Sequence, residues 1–224
     1  MTAISRIFER RGSRGWVILA GESPFVRGSE TVAMDSINNI MDSEGALVVL
    51  APGGQIPSSI QPFVNDFNER LGGSLKVIDP LDVDQALLQT TCQKAQLVLA
   101  MGGTREDWVT IFAEERMPAD PDLIVAENSV FIAIGSLVSL LGEWVYDPQS
   151  DLISDGIGWF PNAIFVPCFE APASKNVIRQ KIKEQMKSYA ISIAPDAIIG
   201  VGPQEKVEIW SDAAPEILLG QGWV

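Results

Sequence analysis

Residues 95–108 read Ala95-Gln-Leu-Val-Leu-Ala-Met-Gly-Gly-Thr-Arg-Glu-Asp-Trp108, and their reading decides the fold. The apolar run Leu97 to Met101 carries no polar alternation, which marks a strand buried on both faces. Gly102-Gly103 closes it. Thr104 with Asp107 three residues on forms the pattern of a capping box, opening a helix that carries Trp108, Ile111 and Phe112. A doubly buried strand passing through glycines into a capped helix is the unit of a parallel sheet covered on both sides.

The same unit recurs in both directions. Upstream, Trp16 to Ala20 is followed by a helical pattern at Ala33, Ile37, Ile40 and Met41. Ala46 to Leu50 ends in Pro52-Gly53-Gly54, and the stripe Ile60, Phe63, Val64, Phe67, Leu71 predicts the next helix. Leu75 to Ile78 then precedes a helix carrying Leu88, Cys92 and Ala95. Downstream, the spacing predicts a short helix between Pro118 and Asn128, a strand over 130–134 and a helix from about Ser136 to Tyr146. Ala163 to Val166 reads as a further strand, and Ile178, Ile182, Met186 and Tyr189 share one helical face. Ala197 to Val201 and Val207 to Trp210, joined by Pro203-Gln204-Glu205, predict an antiparallel addition. The expected fold class is therefore α/β, a three-layer flavodoxin-like mostly parallel sheet with a C-terminal antiparallel strand extension. Residues 1–224 are read as one domain.

Composition narrows the chemistry. The 224 residues hold 16 basic and 29 acidic side chains, two cysteines and no histidine. Without histidine there is no Ser-His-Asp or Cys-His machinery, and acid–base work falls to carboxylates, lysine, tyrosine or water. Two cysteines cannot complete a four-ligand zinc site, so no metal and no cofactor is expected. A net charge of −13 opposes nucleic-acid binding. No stretch approaches the ~20 apolar residues of a membrane span. The sequence is read as cytoplasmic.

In open α/β sheets ligands bind beyond the carboxyl ends of the strands. Small residues mark those ends at Gly21-Glu22-Ser23, Pro52-Gly53-Gly54-Gln55, Gly102-Gly103-Thr104-Arg105 and Gly135-Ser136, with Pro167-Cys168-Phe169-Glu170 as a fifth. Neither a phosphate loop nor a dinucleotide fingerprint is among them. Arg105 reads either as a clamp for a ligand carboxylate or as a surface arginine paired with Glu106 or another acid. Cys92, on an apolar stripe, reads as core. The basic run Lys175, Arg179, Lys181, Lys183, Lys187 reads as a solvated helix face, with an acidic partner as the alternative. Trp223 suggests a tail packed on the body or on another subunit.

Several segments together resemble the cyanophycinase and aspartyl-dipeptidase (dipeptidase E) family of serine peptidases, which share a class I glutamine-amidotransferase-like fold. They are the opening strand with Gly21-Glu22, the strand and Pro52 loop, residues 95–103 with Trp108, Phe131-Ile-Ala-Ile-Gly-Ser-Leu-Val-Ser-Leu-Leu-Gly142, and Gly156 to Phe169. The basic helix around Arg179 and the final strand pair also fit, so the resemblance covers nearly the whole chain. The family carries its nucleophile on a G-x-S-A-G-A elbow. The resemblance implies that Gly135 stands at that position, with Ser136 one residue later. It implies that Cys168 stands where the family has its histidine, and that Gly102-Gly103 keep the oxyanion-hole loop. Thr104 and Arg105 replace the Asp or Asn and the Gln that often follow.

The expectation is a non-catalytic homologue of these peptidases, binding a small acidic or peptide-like ligand through Gly102, Gly103, Arg105 and Glu22, or serving as a structural or regulatory subunit. A homo-oligomer fits that role. The alternative is a hydrolase using Ser136 or Cys168 with an unrecognised base. The plainer reading makes Ser136 a helix cap and Cys168 an inert buried thiol.

Overall fold

The computed structural model describes residues 7–22, 24, 30–41, 45–167, 171–210 and 215–223. The wholly apolar runs form the interior strands the sequence predicts: β1 (Trp16–Ala20), β2 (Ala46–Leu50), β4 (Ala95–Ala100) and β5 (Val130–Ile134), with β3 (Leu75–Ile78) at one edge. They alternate with α1 (Glu30–Ile40), α2 (Gln61–Arg70), α3 (Gln85–Gln93), α4 (Arg105–Ala113) and α5 (Ser136–Leu140). The four junctions β3-β2-β4-β5-β1 are all parallel. Taking β2 as the first position gives the doubly wound order 2-1-3-4-5, with the fifth place filled by the chain's first strand. Beyond β1, β10 (Ile198–Val201) and β11 (Val207–Ile209) add antiparallel to complete seven strands. This is the flavodoxin-like sheet with its expected antiparallel extension.

The two faces bury different partners because strand side chains alternate. Ile18, Val49, Leu99 and Ile132 pack against Ala33 and Ile37 of α1 and Phe63 and Phe67 of α2. Leu19, Val48, Val98 and Phe131 face the opposite way, toward Leu88 and Cys92 of α3, Trp108 and Ile111 of α4, and Leu137 of α5. Burial of the Cys92 thiol pushes its pKa up to about 12, as its apolar stripe implied.

The sequence reading missed a second sheet. Five strands run in the order β12-β9-β8-β6-β7: β6 (Gly142–Asp147), β7 (Leu152–Asp155), β8 (Phe160–Pro167), β9 (Tyr189–Ile193) and β12 (Ile217–Leu219). The strand predicted at 163–166 lies here, as part of β8. The helix expected over 136–146 ends at Leu140, and the chain continues as β6. The reason is a period of two: Trp144 and Tyr146 face one way, and Val145 faces the main core. Likewise α6 (Asn176–Glu184) stops before Met186 and Tyr189. Gln185 is extended (φ −113°, ψ 127°), Met186 is 71% exposed, and Tyr189 opens β9. Between Pro118 and Asn128 the expected short helix is one turn of 3-10 helix at Pro121–Leu123, followed by a separate turn at 127–128. The inner face of the second sheet, with Phe165 and Ile191, shares the main core; its outer face, with Trp144 and Ile164, is covered by Ile178 and Ile182 of α6. The tail closes on the body, where Trp223 Nε1 donates to Ser188 O at 2.9 Å and its ring meets Tyr189 edge-on.

Candidate functional site

The parallel strands β1, β2, β4 and β5 deliver their carboxyl ends to one rim, which brings Glu22, Pro52, Gly102-Gly103 and Gly135-Ser136 together as the sequence predicted. Two adjoining hollows open there and share Glu22 and Ser136. The larger, about 540 Å³, is lined by Arg105, Glu106, Tyr146, Asp147 and Gln149 as well. The smaller, about 250 Å³, runs under Gly102, Gly103, Pro57 and Ile60.

Two glycines shape this rim. Gly135 joins β5 to α5 with φ +70° and ψ −128°, a sharp strand-to-helix turn. Its N–H donates to Ala20 O at 3.0 Å, and its carbonyl accepts from Val138 N–H at 3.1 Å. The turn has the character of a nucleophile elbow. A Cβ added here would stand in ordinary van der Waals contact with Glu22 Cγ at 3.7 Å, without a clash, although its φ disfavours any side chain. Gly103 also has a left-handed φ of +66°, but a Cβ on it would stand 2.7 Å from Pro52 Cγ.

The loop beneath Gly103 is fixed by α4. Thr104 Oγ1 accepts from Asp107 N–H, and Asp107 Oδ2 accepts from Thr104 N–H at 2.7 Å, the capping box read from sequence. These bonds from the Thr104 backbone and side chain hold the Asp107 carboxyl below the usual carboxylate range. Trp108, fully buried, donates from Nε1 to Gly102 O at 2.8 Å. The glycine loop is thereby tied to the core through a single indole.

Arg105 points into the larger hollow and pairs with Asp147, Nη1 to Oδ1, at 3.5 Å. Its ion-pair partner is thus another acid, as one of the two sequence readings had it, at the end of β6 and not the adjacent Glu106. Ser150 Oγ (2.6 Å) and Gln149 N–H (3.0 Å) donate to Asp147 and lower its pKa, with the Arg105 charge adding to them. Tyr146 beside it is raised, by burial first and then by its hydrogen bond to Asp151. Tyr146, Asp147 and Gln149 escaped the sequence reading because the helix expected over 136–146 hides the strand β6 that carries the chain to this rim. Trp144, Val145 and Tyr146 are all apolar and buried, so no alternation in the sequence marks the strand that places Asp147 on this rim.

Ser136 lines both hollows, and its carbonyl accepts from Ser139 Oγ at 2.8 Å. Among the described residues, no carboxylate or lysine hydrogen-bonds its hydroxyl. Glu143, the nearest acid along the chain, is occupied elsewhere: its Oε2 accepts from Asn162 N–H at 2.7 Å. Cys168, expected at the same rim, lies outside the described residues. No group of three or more metal-ligating side chains is assembled among the described residues, and no helix there is long and apolar enough to cross a membrane.

No family model matches the sequence, and no curated protein matches it. A solved structure does share its fold. A protein from Listeria monocytogenes EGD-e assigned as peptidase E superposes with a TM-score of 0.55 at 12% identity, over 88% of this chain and 98% of that one. A peptidase from an acI-B1 Actinobacterium superposes with a TM-score of 0.48 at 14% identity, over 94% of this chain and 96% of that one.

Proposed function

We propose that the protein binds a small peptide-like ligand in the cleft at the strand rim and does not hydrolyse it. One observation carries this reading. A sharp strand-to-helix turn of the kind that presents a nucleophile lies on the cleft, at φ +70° and ψ −128° and with no clash for a Cβ, yet the residue at its apex is Gly135. The fold shared with the Listeria protein supports a cleft of peptidase type. Ser136, one residue on, is the nucleophile of the competing hydrolase reading. A serine hydroxyl needs a neighbouring base to attack at neutral pH, and the chain has no histidine to supply one.

The lining also speaks to the ligand. Among the described residues that line the larger hollow, Arg105 is the one cation, against Glu22, Glu106 and Asp147. A ligand carboxylate meets Arg105 in competition with Asp147, while a ligand ammonium finds Glu22 and Glu106. A zwitterionic peptide or amino acid therefore suits this lining better than a polyanion. The cytoplasm is the compartment we assign, consistent with Cys92 as an unbridged thiol.

Calorimetric titration with acidic, neutral and basic dipeptides tests the proposal. The expected result is binding without turnover, weakened about tenfold or more in Arg105→Leu through loss of a charge-assisted bond. Absence of binding by every dipeptide, or release of free amino acids, overturns it.

A further inference from the structure

Beyond the cleft, two surfaces of this chain are complementary to each other. The first lies at the end of α6. Residues 175–187 hold five basic side chains to one acid, in a chain with 16 basic and 29 acidic residues overall. Lys181 stands over the Trp144 ring at 4.5 Å, Lys175 stands 6.0 Å from the Tyr146 centroid, and Arg179 hydrogen-bonds Asn176. Lys183 and Lys187 have no ion-pair partner among the described residues, and they flank Met186. That methionine is 71% exposed, the highest exposure of any large apolar side chain among the described residues. It is also held in place, because Lys187 N–H donates to Gln221 O at 2.7 Å and Met186 bridges to Gln221. An anchored apolar knob between two lysines is a preformed contact rather than a loose end.

The second surface is a groove of about 510 Å³ away from the Gly135 turn. Its floor is apolar, with Phe112 and Leu140, and its walls include Val109 and Leu123, which are 46% and 42% exposed. Its charged lining is acidic throughout: Glu115, Asp120 and Asp155. None of the three has a cation partner among the described residues. An apolar trough with an acidic rim matches an apolar knob with basic flanks in both shape class and charge.

The geometry points to self-association: the Lys183–Met186–Lys187 knob of one copy seats in the Val109–Leu123 groove of a second copy, its lysines against Glu115, Asp120 and Asp155. The acidity of the chain favours this partner, since residues 175–187 gather five of the 16 basic side chains in a chain of net charge −13. Reciprocal seating closes a two-fold dimer, and one-way seating makes an open chain. The α5 helix begins at the cleft with Ser136 and ends at the groove with Leu140, so the two regions share an element.

Sedimentation velocity on the full chain tests the pairing. The wild type should sediment as two or more copies of the 24.3 kDa chain at low salt. It should dissociate near 1 M salt, where the Debye length falls to about 3 Å. Lys183→Glu with Lys187→Glu, and separately Glu115→Lys with Asp155→Lys, should each weaken self-association about tenfold or more. Mixed one to one, the two variants should associate again, because each reversed surface then meets its complement. That recovery excludes misfolding as the cause of either loss. A wild type that is monomeric at low salt, association indifferent to either reversal, or a mixture that stays apart overturns the assignment.

Discussion

Gly103 and Gly135 sit at equivalent places, each beyond the end of a parallel strand, each left-handed, each on the wall of the same cleft. They differ in what surrounds them. A Cβ at Gly103 would collide with Pro52 at 2.7 Å, whereas a Cβ at Gly135 would find Glu22 Cγ at 3.7 Å and otherwise open cleft. Glycine is required at the first position by packing as well as by dihedral. At the second it is required by the dihedral alone, and the space above it is that of a side chain. The rim therefore contains one loop whose glycine is fixed by packing and one whose glycine is set by its dihedrals.

The largest effect that distinguishes them is steric. Gly103→Ala should cost about 3 kcal/mol, adding an overpacked contact on buried Pro52 to the left-handed penalty, and should be read as a lowered midpoint in urea. Gly135→Ser should cost less, about 1–3 kcal/mol for a side chain at φ +70° and ψ −128° without the clash, and should leave the fold intact. Equal losses at the two positions would erase the contrast. The smallest effect concerns acid. Asp107, whose carboxyl the Thr104 bonds hold below the usual range, supports the Gly103 loop only when ionised. Its folded pKa is depressed, so its contribution is complete above the unfolded carboxylate pKa and is lost as pH falls through the folded one. Asp107→Asn should remove that part of the acid dependence of the melting temperature, while no such component attaches to the Gly135 turn.

The two loops were also unequally legible. Doubly apolar strands of the main sheet announce themselves, because nothing polar interrupts Leu97 to Met101 or Val130 to Ile134, and the Thr104–Asp107 box marks its helix from sequence alone. The rim residues Glu22, Gly102, Gly103, Arg105, Gly135 and Ser136 followed from those strand ends. The second sheet did not announce itself. Along 142–147, Trp144, Val145 and Tyr146 are all buried, since the strand lies between α6 and the main core. A run buried on both sides by unlike partners looks the same as a buried helix when only apolarity is counted. With β6 unread, Asp147 was missed, and with it the partner of Arg105. The exposed Met186 was assigned to a helical stripe for the same reason: its spacing from Ile182 fits a helix that the extended Gln185 has already ended.

The central claim is that the turn at Gly135 is shaped for a nucleophile and carries none that is activated. Intact-protein mass spectrometry after incubation with a fluorophosphonate at neutral pH tests it most directly. The account predicts an unchanged mass for the wild type and for Gly135→Ser alike, because neither serine position has a histidine to draw its proton. A single stoichiometric adduct on the wild type that disappears in Ser136→Ala would contradict it.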